Sequence, residues 1–338
     1  MEIRKAVRRA LPLQIALCGP SGSGKTCSAL QMAAGLVASP KVVVIDTERG
    51  RASLYADNKR VLSVLPNGFD VLDLDAPYHP ERYIQAIDTC ERAGYNVCII
   101  DSASDSWDGP GGQADIAEQN RGMWNESKRW NKRLMTRINL SGMNVICCLK
   151  AQEKTKVLEV PDEKKPGRMK KEFVPIGWQP ICEKNFFYPM LLGLMIDPQT
   201  HVATAIKYIE DIAPFFATPH LISKQDGENL RRWNEGGKSV EPVERLLLRA
   251  EGAAAEGTEA YRAFFESLGA EQKRLLKPHH ERLKRLASEG GRSEQSEIRE
   301  FDEFPDPMDF RPGERISVKG RVLAANADCS AWTAAEGA

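Results

Sequence analysis

One stretch, Gly19-Pro20-Ser21-Gly22-Ser23-Gly24-Lys25-Thr26, fits the spacing G-x-x-x-x-G-K-[ST]. That spacing suits polyphosphate binding. Glycines let the backbone close around phosphate oxygens, so that successive N–H groups point inward. If a helix starts at the end of the stretch, its first free N–H groups add the positive end of a dipole. Lys25 can then reach the β- and γ-phosphates of ATP, and the Thr26 hydroxyl can join the shell of Mg²⁺. The candidate nucleotide-binding set is Gly19, Pro20, Ser21, Gly22, Ser23, Gly24, Lys25, Thr26 and Cys27. The competing reading is a Gly/Ser-rich turn that matches by chance.

The flanking elements favour the chemistry. The apolar run Leu13 to Cys18 predicts a buried strand before the loop, and Cys27 to Val37 predicts a helix after it. Lys41 to Asp46 is a second strand; its run Val42-Val43-Val44-Ile45, apolar on both faces, fits an interior parallel strand. Asn96 to Ser102 is a third, ending in Asp101 in the Walker B pattern, where a carboxylate accepts hydrogen bonds from the water shell of Mg²⁺. Ligands of open α/β sheets sit at the carboxyl ends of strands, so Asp46, Glu48 and Asp101 should share an edge with the loop. Glu48 is the candidate to position water near the γ-phosphate, off the metal. Its rival role is a surface acid paired with Arg49. Asp46 is either a partner of the magnesium's water shell or structural.

Other elements follow from periodicity and breakers. Arg51 to Asn58 reads as a short helix, Val61 to Leu65 as a short strand, Phe69 to Leu74 as a strand and Pro80 to Ala93 as an amphipathic helix. Asp105 to Gln113 is an Asp- and Gly-rich loop, whose Trp107 either stacks on a DNA base or packs in a lid over the nucleotide. A helix over 114–141, breaking near Gly122, precedes a strand at Asn144 to Leu149 with Lys150 at its end. Residues 153–172 lack apolar periodicity and read as a mobile basic hairpin or loop. Arg168, Lys170 and Lys171, then Lys164 and Lys165, are the candidate contacts to a single-stranded DNA backbone. A solvated charged loop is the plainer alternative. Strands at 186–196 and 201–206 complete the sheet.

Composition shifts beyond about Phe216. The chain then divides into a core at 1–216, a small helical module at 217–290 and an acidic, flexible tail at 291–338. The tail's phenylalanines lie among acids, as a tether or as a segment that docks on a basic groove. Lys+Arg and Asp+Glu are both 47 in 338 residues, so net charge favours no partner. None of the eight cysteines forms a C-x-x-C pair, and several lie in apolar runs, as buried thiols of a reducing compartment do. No run reaches the roughly 18 apolar residues of a membrane span. The scattered histidines suggest no metal site. These features predict a cytoplasmic protein.

The order of loop, Asp46-Thr47-Glu48 and Asp101-Ser102 resembles the RecA-type recombinase core. More closely, Gly19–Thr26, VIDTERGRASLYAD (Val44 to Asp57), LDAPYHPERY (Leu74 to Tyr83) and IIDSASDSWDGPGG (Ile99 to Gly112) resemble bacteriophage RecA-like ATPases, including the Sak group linked to single-strand annealing. The resemblance covers residues 12–216. It implies an α/β RecA-type P-loop fold, a mostly parallel sheet flanked by helices. It also implies Mg²⁺ and ATP as cofactors, and ATP hydrolysis coupled to single-stranded DNA in phage recombination, annealing or replication. Catalysis would fall to Lys25 and Glu48, with Lys150 or Gln152 as γ-phosphate sensor in place of the family's glutamine. Thr26 and Asp101 would hold the metal, and Lys207 would reach across a subunit interface. Expected partners are further copies, as a ring or filament, and a phage or host single-strand-binding or recombination protein, in the cytoplasm of a bacterial host; no membrane is implied. The rival functions are a P-loop kinase acting on a small acceptor and an ATP-binding loader that hydrolyses slowly.

Overall fold

The computed structural model describes residues 5–119, 124–161, 169–239, 242–290, 299–301, 315–318, 321–325 and 332–334. They form two compact units, Met1–Glu241 and Pro242–Ala338.

In the first unit, strand and helix alternate: β1 (Gln14–Gly19), α1 (Lys25–Leu36), β2 (Val42–Asp46), α2 (Lys59–Leu62), β3 (Asp70–Asp73), α3 (Pro80–Arg92) and β4 (Val97–Asp101). Then come α4 (Asp105–Asp108), α5 (Gln113–Gln119), α6 (Trp124–Asn139), β5 (Asn144–Pro161), β6 (Met169–Pro180), β7 (Leu192–Ile196) and β8 (Ala203–Lys207). Two helices, α7 (Ala213–Phe216) and α8 (Lys224–Glu235), close the unit. The sheet order is β3-β2-β4-β5-β1-β7-β8, with β6 paired to β5. Neighbours are parallel except at β5/β6 and β7/β8.

The central strands are buried on both faces, and their side chains divide with period two. Ile15, Leu17, Val42, Val44, Ile99 and Ile146 join one core with α1, Phe216 and Leu230. Ala16, Cys18, Val43, Ile45, Ile100 and Val145 join the other with Tyr83, Ile87, Leu134 and Ile138 of α3 and α6. Parallel strands between two helical layers put all their carboxyl ends on one edge.

Four local expectations are corrected. Residues 61–65 form no strand, because the Asn58 side chain accepts the N–H groups of Arg60 and Val61 and starts α2. The strand expected over 186–196 is confined to Leu192–Ile196, after turns. The strand expected to stop at Leu149 runs on to Pro161 as one arm of a hairpin with β6. The core extends beyond Phe216 to Glu241. There Gly35 of α1 and Gly227 of α8 cross so closely that a Cβ on Gly227 would lie 2.1 Å from the Met32 carbonyl oxygen. Asn234 also donates to the Leu11 carbonyl, and Arg9–Ala10 pair with Lys238–Ser239.

The second unit has its own core, in which Leu246, Ala250, Ala254, Tyr261, Leu276 and Leu283 meet. They come from α9 (Pro242–Ala255), α10 (Thr258–Ser267), α11 (Ala270–Leu276) and α12 (His280–Gly290). His280 is spent on this core, its Nδ1 lying 2.8 Å from the Tyr261 hydroxyl. Four short strands, Arg299–Phe301, Arg315–Val318, Arg321–Ala325 and Trp332–Ala334, pair into a small sheet that composition does not announce. Most of the acidic, phenylalanine-bearing segment lies outside the described residues.

Candidate nucleotide site

The loop between β1 and α1 has the backbone its glycines predict. Gly22 and Gly24 take φ of 79° and 89°, values that residues with a Cβ rarely adopt. Gly19 is required by packing: a Cβ there would lie 2.4 Å from Ser23 Oγ and 2.9 Å from the Ile196 carbonyl oxygen. The N–H groups of Gly24, Lys25, Thr26 and Cys27 have no acceptor among the described residues, and intrahelical bonding begins with Ser28 to Gly24. This cradle of free donors fits a polyphosphate. Lys25 Nζ donates to the carbonyls of Gly19 (3.0 Å) and Pro20 (2.9 Å), folded back along the loop.

A cavity of about 480 Å³ opens over the loop, lined among others by Gly22, Gly24, Lys25, Thr26, Glu48, Arg51, Tyr55, Asp101 and Lys150. The three strand ends thus meet as the α/β topology requires. Thr26 Oγ1 donates to Asp101 Oδ2 at 2.5 Å. Asp101 is 5% exposed, and burial pushes its carboxyl up to about 6. The Thr26 bond and Lys25 oppose that rise, and Glu48 and Asp46 add to it. One hydroxyl and one carboxylate suit Mg²⁺, which keeps waters and takes phosphate oxygens. Among the described residues no cluster of three or more His, Cys, Asp or Glu could hold an ion unaided.

Asp46 has a structural role. Its two oxygens accept the N–H groups of Glu48 (2.6 Å) and Ala52 (2.9 Å), which fixes the turn that presents Glu48. Glu48 pairs through Oε2 with Arg51 at 3.1 Å, not with Arg49. Arg51 lies three residues onward, just before a 3₁₀ turn over Ala52–Tyr55, and lines the same cavity.

Lys150 ends the part of β5 that lies in the sheet. Its Nζ meets Asp105 Oδ1 at 2.5 Å, and Asp105 Oδ2 accepts the Thr47 hydroxyl at 2.6 Å. Thr47 Oγ1 in turn accepts the Ser102 N–H at 2.8 Å. Burial lowers the Lys150 pKa, but the bond and charge of Asp105 outweigh it and leave the ammonium raised. The Ser104 hydroxyl accepts the Lys150 N–H and donates to the Ile181 carbonyl, clamping both arms of the hairpin base. Sequence reasoning missed Asp105 and Ser104. Their signal is the distance from Asp101, four and three positions along the same quoted motif.

Other candidates lie elsewhere. Gln152 is exposed on the hairpin opposite Gln179 and does not line the cavity, which leaves Lys150 as the sensor candidate at the site. Lys207 pairs with Gly193, toward the sheet edge away from the loop, and donates to the carbonyls of Phe187 and Tyr188 in its own chain. Trp107 is half-buried on α4. Lys164, Lys165 and Arg168 lie outside the described residues; Lys170 and Lys171 sit on β6 opposite Val160 and Glu159. Lys154, Lys156, Val157 and Phe173 are exposed on the hairpin, Phe173 by 68%. Cys18, Cys90, Cys98, Cys147 and Cys148 are buried free thiols; Cys147 is pushed up to about 12 by burial. Cys329 lies outside the described residues.

The fold and this site define a P-loop NTPase core of the RecA type. The AAA domain family matches residues 11–173, from the residues before β1 into β6, and supports an AAA-type P-loop ATPase. Among solved structures, the chain is similar to "a prototypical ATPase from the type III secretion system of pathogenic bacteria", with 13% identity and a TM-score of 0.32. That likeness covers 70% of this chain and 63% of the other. No curated protein matches the chain. No helix among the described residues is long and apolar enough to cross a membrane.

Proposed function

We propose that the protein is a Mg²⁺-ATP-dependent ATPase that binds single-stranded DNA through the β5/β6 hairpin. One observation carries this reading: Lys150 at the nucleotide cavity and the hairpin arm through Pro161 belong to a single strand. Lys150, the candidate phosphate sensor, is therefore continuous along one backbone with an exposed arm that carries Lys154 and Lys156 and faces Phe173 of β6.

The residues divide the work. The N–H groups of Gly24 to Cys27 and the Lys25 ammonium hold the phosphates. Thr26 and Asp101 hold the ion, whose chemistry is to neutralise charge developing on the phosphates. Glu48 Oε1 is left by the Arg51 pair to orient water. Lys150 is held by Asp105 and is the group to exchange that carboxylate for a γ-phosphate. Ser104 passes such a change to both hairpin arms. On the hairpin, Lys154 and Lys156 supply backbone contacts, and Phe173, across from Val157, supplies a stacking face. A role in phage recombination or annealing, with self-assembly, rests on the sequence resemblance.

The test is anisotropy of a fluorescent oligo-dT with and without a non-hydrolysable ATP analogue. Binding should tighten with the analogue. Lys154→Ala with Lys156→Ala should weaken it and lower the salt slope by about 1.4, at about 0.7 for each phosphate no longer neutralised. An unchanged affinity and slope would remove the hairpin as the DNA site.

A further inference from the structure

The turn between β7 and β8 is tightly built. Asp197 Oδ1 accepts the N–H groups of Gln199 (3.0 Å) and Thr200 (2.8 Å) and the Thr200 hydroxyl (2.9 Å). The Asp197 carbonyl takes the His201 N–H at 3.0 Å. His201 then adopts a φ of 59°, in the left-handed region. This conformation delivers the exposed ring onto the phosphate-binding loop. Its Nδ1 lies 3.0 Å from the Ser23 carbonyl oxygen, across a sequence separation of 178 residues. A carbonyl only accepts, so Nδ1 carries the hydrogen and donates.

The consequence lies in the next peptide. The Ser23–Gly24 bond is trans, and in a trans peptide C=O and N–H point in opposite directions. A ring that holds the carbonyl on the outside of the loop turns the Gly24 N–H away from itself. Gly24 lines the cavity, and its N–H has no acceptor among the described residues. Beside a glycine, this peptide would otherwise rotate freely. The Ser23 hydroxyl adds no restraint: it is buried without a hydrogen-bond partner. We infer that His201 is a positioning residue of the nucleotide site, fixing the Ser23–Gly24 peptide so that the Gly24 N–H faces bound phosphate. The inference rests on the nucleotide-binding reading above.

Two variants separate this role from mere support of the turn. His201→Gly keeps a left-handed turn without cost and removes the donor. His201→Asn tolerates the same conformation and places its amide nitrogen where the ring has Nδ1. The full chain would be titrated with a fluorescent ADP analogue and Mg²⁺, beside Lys25→Ala, with thermal unfolding as the check on folding. His201→Gly should raise Kd about five- to tenfold, as loss of one hydrogen bond implies, and Asn should restore it to within about twofold. In steady-state hydrolysis the Gly variant should raise KM for ATP and leave kcat nearly unchanged. A folded His201→Gly that binds like wild type, or an Asn variant that binds as poorly as Gly, overturns the inference and leaves the nucleotide site standing if Lys25→Ala still loses binding. A folded wild type that binds no analogue overturns both.

Discussion

Asp101 sits where burial disfavours its charge. Its carboxyl is raised to about 6, so ionising it at neutral pH costs folding free energy, as is usual where a fold keeps a charge for chemistry. Asp101→Asn keeps the shape and an acceptor for Thr26. At about pH 8 without nucleotide it should raise Tm by about 2–4 °C, the shift expected for roughly 1 kcal/mol in a unit of this size. The same variant should lose Mg²⁺-dependent hydrolysis. A lowered Tm would mean that the Thr26 bond outweighs desolvation. At this scale the sequence is most informative about residues whose chemistry forces their spacing: Gly19 to Thr26, Glu48 and Asp101. Asp105 and His201 are hidden in it, since their partners Lys150 and Ser23 lie 45 and 178 residues away and only the folded sheet edge brings them together.

Helix α1 carries the phosphate-binding loop at its start and is held at its end by α8. Gly35 and Gly227 let the two backbones touch, and no side chain can yield there. Gly227→Ala should therefore destabilise the first unit by about 1–3 kcal/mol, measured by urea unfolding, and weaken nucleotide binding through a displaced α1. Unchanged stability would show that α8 moves away without loss. The start of α8 has a capping box in which Asp226 Oδ2 accepts from Ser223, while Asp226 Oδ1 meets His220 Nε2 at 2.8 Å. Burial lowers the His220 pKa, but its bonds to the Thr218 carbonyl and to Asp226 outweigh burial and leave it raised. A raised histidine contributes stability that is complete below its unfolded pKa, about 6.5, and is lost as pH rises through the folded value. Wild type should thus lose more Tm than His220→Gln between about pH 6 and about pH 8. Parallel profiles would contradict the pairing. The extent of the hairpin's strands is the feature least legible in sequence, where residues 153–172 read only as a basic hairpin or loop. Alternation of apolar and polar residues is written by burial on one face. Residues 152–157 are exposed on both faces, so their extended conformation leaves no period to read.

At the scale of the molecule, the doubly covered sheet is visible in sequence because interior parallel strands such as Val42-Val43-Val44-Ile45 have few alternatives. The boundary at Glu241 is not, because composition changes near Phe216 while the contact that joins α8 to the core, Gly35 with Gly227, spans most of the unit. Lys150, Asp105 and Ser104 join the nucleotide cavity to the exposed hairpin arm. The decisive experiment on that coupling is ATP hydrolysis by the full chain with and without single-stranded DNA, beside Lys25→Ala and Glu48→Gln. Hydrolysis should depend on Mg²⁺, rise with DNA and vanish in both variants, with nucleotide binding lost in Lys25→Ala and kept in Glu48→Gln. Hydrolysis that is indifferent to DNA would contradict the coupling of cavity to hairpin.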